Sequence, residues 1–223
     1  MLVTLLLGST ACSSGNAKES TDPEKTADST RETCEVLLGA AGVKWVKRSS
    51  VRETGLAETS DLKSAKDQYY EDARAWDSQS NKVPVFTGSE VCRVVVKEQK
   101  PHKNYLSFRY GASIFPFDYP FGKKTGIYDA KSVISVNSDV KFVIWKDRGS
   151  PDRYSVYVKC GVPGAPAGQE TGVPIEGSMT DTLTGETTAE NHLKYLLHSA
   201  RVVAQTFDCQ NKPTVPEELP AGI

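Results

Sequence analysis

A chain of 223 residues with 38% apolar content and a formal charge of −1 holds one domain of ordinary size plus tails. Its 27 basic and 28 acidic residues gather into no basic stripe, which excludes the electrostatic footprint of a nucleic-acid binder. No apolar run reaches the ~18 residues a membrane-spanning helix needs, so no mature helix is expected to cross a bilayer.

The N-terminus reads MLVTLLLGSTACSSG. An apolar run from Met1 to Leu7 is broken by Gly8, and small residues (Ser9, Thr10, Ala11) precede Cys12, which suits the narrow pocket of a signal peptidase. Thr10, Ala11 and Cys12 resemble a bacterial lipobox, in which the cysteine thiol is acylated and becomes the new N-terminus. That resemblance implies a signal peptide over 1–11 and a lipid on Cys12 that holds the protein at the outer face of the cell membrane. Residues 13–33 contain no aromatic side chain and no aliphatic one larger than alanine. Such a segment buries too little surface to offset its ordering entropy, so 12–33 is expected to be a tether spanning roughly 25 Å. The folded domain is then 34–212, with 213–223 as a tail.

Within the domain, Cys34–Gly39 reads as a short helical turn and Val43–Arg48 as a weak strand. Leu62, Ala65, Tyr69, Ala73 and Trp76 recur at helical spacing, which predicts a helix near Asp61–Asp77 with Ser60 or Asp61 as its cap. Val91–Glu98 and Asn104–Tyr110 read as neighbouring strands. Ser132–Asp147 reads as a hairpin turning at Asn137-Ser138-Asp139, with Val140, Phe142 and Ile144 on one side. Arg153–Cys160 alternates, placing Tyr154, Val156, Val158 and Cys160 on one face. Val173–Met179 is a weaker strand candidate. The last helix carries Leu193, Leu196, Leu197, Ala200, Val203, Ala204 and Phe207 on one stripe, with Thr187 and Glu190 as a capping box. The order is no regular βαβα alternation, so the expected fold is α+β: a mainly antiparallel sheet of five to seven strands with two main helices, on one face or both.

Beyond Cys12, the cysteines are Cys34, Cys92, Cys160 and Cys209. None lies in a CxxC pair or near a histidine at ligand spacing, so two disulfides are expected and no metal site or cofactor. Four cysteines allow three pairings. The favoured one is Cys34–Cys92 and Cys160–Cys209, because Cys160 ends an inward-facing strand and Cys209 ends the helix that should cover the same sheet.

Chemistry is sparse. His192 and His198 stand about 240° apart around a helix and cannot share a metal. FGKKTG (121–126) lacks the first glycine of a phosphate loop, and no GxSxG, GxGxxG, HExxH or SxxK occurs. One stretch stands out: SIFPFDYPFG (113–122) sets Phe115, Phe117, Tyr119 and Phe121 at alternate positions between prolines, which make it a poor central strand. Those rings either complete the core or are offered to a partner; as an extended segment it would present all four on one face. On the partner reading, Phe117→Ala and Tyr119→Ala leave the melting temperature nearly unchanged.

TCEVLLGA near the domain start, a strand ending YVKC and a last helix running into TFDCQNKPTVPEELP resemble lipoproteins of unknown function from high-GC actinobacteria. The resemblance implies an α/β/α sandwich like those of the PsbP and Mog1 proteins, and no catalytic residues. Two functions are expected. The first is a non-catalytic surface lipoprotein that binds a partner protein, cell-wall polymer or small ligand, with no nucleic acid. The alternative is an exported hydrolase whose carboxylates, such as Asp118, Asp129 and Glu176, converge in a cleft.

Overall fold

A computed structural model describes residues 23–57, 59–80, 83–97, 103–121, 130–146 and 152–222. The chain runs α1 (Pro23–Ser49), β1 (Thr54–Leu56), α2 (Leu62–Ala75), β2 (Ser89–Val96), β3 (Tyr105–Ala112) and β4 (Ala130–Ser135). It continues through β5 (Val140–Trp145), β6 (Arg153–Val158), α3 (Gln169–Gly172), β7 (Ile175–Asp181) and α4 (Ala189–Thr206). The strands form one sheet in the order β1-β2-β3-β7-β6-β5-β4, antiparallel at every pairing. The fold is α+β, and the weak candidate at Val173–Met179 becomes β7, the strand at its centre.

Alternation divides the sheet into two faces. Phe108 and Tyr110 of β3, Phe142 and Ile144 of β5, Tyr154, Val156 and Val158 of β6 and Met179 of β7 join the main core. Over them lie Leu37, Leu38 and Trp45 of α1, Tyr69 and Ala73 of α2, and Leu193, Leu196, Leu197 and Val203 of α4. Three long helices therefore cover one face, where two were expected. The Asn137 side chain accepts from the amides of Asp139 and Val140, which turns the β4–β5 hairpin where the sequence places the turn. Gly177 is required by packing: a Cβ there would sit 2.3 Å from the Tyr110 ring. The Tyr110 hydroxyl meets Ser199 on α4, tying the sheet to its helical layer.

Four local expectations are corrected. Val43–Arg48 is helix, because its inward residues Trp45 and Val46 continue the spacing of Leu38 and Gly42, and apparent alternation hid that period. The helix starts at Pro23, inside the segment expected as tether, where a proline at the first helical position loses no needed donor. It kinks at Gly39 (φ 64°), and His198 Nε2–H donates to the Val36 carbonyl left free there. The capping box at Thr187 and Glu190 does not form. Thr188 is the cap residue without a side-chain cap bond, and the Glu186 carboxylate accepts from the Thr187 and Thr188 amides. Finally, 213–223 is no free tail over its first residues: Val215 and Leu219 pack on the core, and Glu217 pairs with Arg201 at 2.8 Å.

The disulfides join Cys34 to Cys92 and Cys160 to Cys209. The first ties α1 to β2; the second ties the end of β6 to the end of α4. Around the second, the buried Gln169 amide donates to the Cys160 and Val173 carbonyls and to the Tyr69 hydroxyl, and accepts from the Val162 amide. Gln169 thus satisfies the Cys160 carbonyl and the Val162 amide of the loop after β6. With sequence separations of 58 and 49, each bridge stabilises by about 4 kcal/mol in the chain-entropy account. Replacing Cys160 and Cys209 together by Ser is expected to lower the unfolding free energy by about that amount, read from the urea midpoint.

Candidate functional site

The second face of the sheet carries no long helix among the described residues, and here the aromatic stretch reappears. Cross-strand register sets Lys141, Tyr157, Glu176 and Gly111 in one row, and Val143, Ser155, Ser178 and Arg109 in the next. Over the β5–β6 half lies the loop 113–121. The loop is not extended: the Tyr119 amide donates to the Pro116 carbonyl (2.9 Å), and the Phe117 amide to Thr171 (2.7 Å). Pro116 and Pro120 favour this turn as readily as an extended run, since a proline fixes φ near −65° in both.

Turning gathers the rings into a second core. Phe117 and Phe121, 7% and 4% exposed, pack with Val143, Trp145 and Tyr157. Phe115 and Tyr119, partly exposed, stand 4.7 Å apart on top of this cluster, with Phe121 5.4 and 5.0 Å away. The four residues assigned to partner binding therefore divide: Phe117 and Phe121 are core, while Phe115 and Tyr119 form a rim over it. Sequence could not separate them, because alternation implies one shared face only while a segment stays straight.

A polar group adjoins the rings. The Trp145 indole donates to Ser155 Oγ (2.9 Å), whose hydroxyl donates to Glu176 Oε1 (3.2 Å). The hydroxyls of Ser113 and Tyr157 also face this carboxylate, the latter without hydrogen-bond geometry, and the Arg153 guanidinium lies over the Trp145 ring at 5.2 Å. Burial pushes the Glu176 carboxyl above its usual range, against the opposing pull of Arg153 and the hydroxyls. The same burial, with Glu176 beside it, raises the Tyr157 phenol. The other carboxylates weighed for hydrolysis do not join it: Asp118 is exposed beside Lys141, and Asp129 lies outside the described residues.

Sequence reasoning missed a second polar cluster. His192 Nε2 faces Asp181 Oδ2 at 2.9 Å, its Nδ1 faces the Thr188 carbonyl at 2.8 Å, and Tyr154 stacks on the ring at 4.5 Å. Burial would raise the Asp181 carboxyl, but bonds from His192, Thr184 and the Leu183 amide hold it below its usual range. This pair closes the junction between β7 and α4. No sequence spacing announces it, because a strand end and a helix start meet only in the fold. No group of three or more metal-ligating side chains occurs among the described residues. A cleft of about 230 Å³ beside Cys209 is lined by Arg201, Asp208, Lys212 and Val215, smaller than typical ligand pockets of ~300 Å³ upward.

No family model, curated protein or solved structure matches this chain. The fold and its bridges define an α+β domain of the kind that forms in an oxidising, extracytoplasmic compartment. No helix among the described residues is long and apolar enough to cross a membrane.

Phe117→Ala or Phe121→Ala is expected to lower stability by about 3–5 kcal/mol in urea titrations, reversing the expectation for Phe117 drawn from sequence. Tyr119→Ala should cost less, since its ring is partly exposed. Glu176→Gln should act in the opposite sense. A folded pKa above the unfolded value of 4.5 means this group favours folding at acid pH and loses that contribution as pH rises through the folded pKa. The Gln variant should therefore be more stable than the parent at neutral pH, with the difference shrinking as pH falls through the raised folded pKa and levelling off below pH 4.5.

Proposed function

We propose that this protein is a lipoprotein of the bacterial envelope, anchored through Cys12 at the outer face of the cell membrane, with a non-catalytic binding role. The two disulfides support export, and the small residues before Cys12 support lipid attachment at that thiol. Residues 1–22, Cys12 among them, lie outside the described residues.

The observation that carries the binding role is the rim of Phe115 and Tyr119. Two partly exposed rings 4.7 Å apart rest on the buried Phe121 and Trp145, so they are preorganised and lose little freedom on binding. Aromatic rings held in this way stack on a sugar ring of a cell-wall polymer or on an apolar segment of a partner protein. The hydrolase alternative gains less support, because Asp118 and Glu176 engage different neighbours and Asp129 lies outside the described residues.

A photo-crosslinking side chain placed at Tyr119 is expected to capture envelope material on intact cells. The same group at Val85, 91% exposed and outside both cores, should capture little. Phe115→Ala is expected to weaken binding of the captured material by about thirtyfold, as for an interface anchor. Equal labelling from both positions would overturn the rim as a binding surface. Separately, Cys12→Ser protein should leave the membrane fraction; retention would overturn the anchor.

A further inference from the structure

Lys141 on β5 and Lys159, one residue past the end of β6, lie at diagonal positions of the second face, because Lys141 pairs with Tyr157 and side chains two residues apart share a face. Their ammonium groups sit 4.5 and 4.6 Å from the centre of the same ring, Phe117, and so no more than about 9 Å from each other. Like charges at such positions repel.

Neither ammonium has a hydrogen-bond or ion-pair partner among the described residues, although Lys141 is only 7% exposed. An ammonium carries three donors, and a ring face satisfies none of them as an oxygen would. The carboxylate facing Lys141 is Asp118 on the loop, which is exposed and makes no ion pair with it. Burial, with Lys159 adding to it, lowers the Lys141 ammonium pKa, so the site as it stands disfavours the charge it holds. An anion with several oxygens would accept from both lysines at once.

We infer that Lys141 and Lys159, backed by Phe117, form a binding site for a phosphate-type anion. The site takes a phosphomonoester or phosphodiester group, either free in solution or on a lipid headgroup. It goes beyond the aromatic rim and does not depend on it.

The test is thermal unfolding of the full chain titrated with inorganic phosphate, against sodium chloride at matched ionic strength. Saturable stabilisation by phosphate alone is expected. Lys141→Met, which keeps the stem and removes the charge, should weaken the apparent affinity about tenfold or more, as should Lys159→Gln at the less buried position. Phe115→Ala should leave it unchanged, which separates this site from the rim. Co-sedimentation with phosphatidylglycerol vesicles but not phosphatidylcholine vesicles, lost in Lys159→Gln, would assign the headgroup; saturable phosphate binding without vesicle binding would assign the free anion. Identical responses of parent and both lysine variants to phosphate, or equal effects of phosphate and chloride, would overturn the site.

Discussion

The structure depends on the alternation of strand β6. Tyr154, Val156 and Val158 point into the helical core, while Ser155 and Tyr157 point into the aromatic one. Its pairing with β5 and β7 aligns both sets at once. A one-residue slip would bury Ser155 and Arg153 under the helices and turn Tyr154 toward the loop. Because both faces are packed at this strand, register is specified from two sides, and the Cys160 bridge holds the strand end against α4.

The two faces are closed by different means. Helices supply their own backbone bonds and need only offer an apolar stripe, so three of them close the first face. The second is closed by a loop, whose backbone groups must find partners one at a time: Phe117 to Thr171, Tyr119 to Pro116, Phe115 to the Ser113 hydroxyl. A cover built in this way is narrow, so the polar side chains of Glu176 and Ser178, in neighbouring rows, are left at its border. Partly exposed rings, a desolvated carboxylate and lysines without an ion-pair partner among the described residues meet along one face for this reason. Groups that weaken the fold are retained where the closure is least complete.

The buried polar contacts elsewhere have a different character. Gln169 has its amide fully engaged, Tyr110 meets Ser199, and His192 has an acceptor at each ring nitrogen. Tyr110 and Gln169 join elements far apart in the chain, His192 joins the consecutive β7 and α4, and each contact would be costly in any other arrangement. They select this packing over other compact ones, a task that apolar contacts alone perform poorly.

Local physics was sufficient for much of this molecule. The sequence by itself determined α2 with a cap at Ser60 or Asp61, the stripe of α4, the hairpin turning on Asn137 and the alternation of β6, because each depends on neighbours within a few residues; among three allowed cysteine pairings it only favoured the one the fold makes. Tertiary structure alone decided the rest. Ile175–Asp181 became the central strand because β3 and β6 had unpaired edges for it. The run through Trp45 became helix because its buried residues face α4. The aromatic stretch divided into core and rim because its backbone turns at Pro116, which spacing could not reveal. Asp181 and His192, Lys141 and Lys159, and Glu176 with Ser155 were brought together by strand register and helix docking. Those contacts span chain distances over which sequence periodicity carries no information, and so the chemistry of the second face emerged only once the chain had folded.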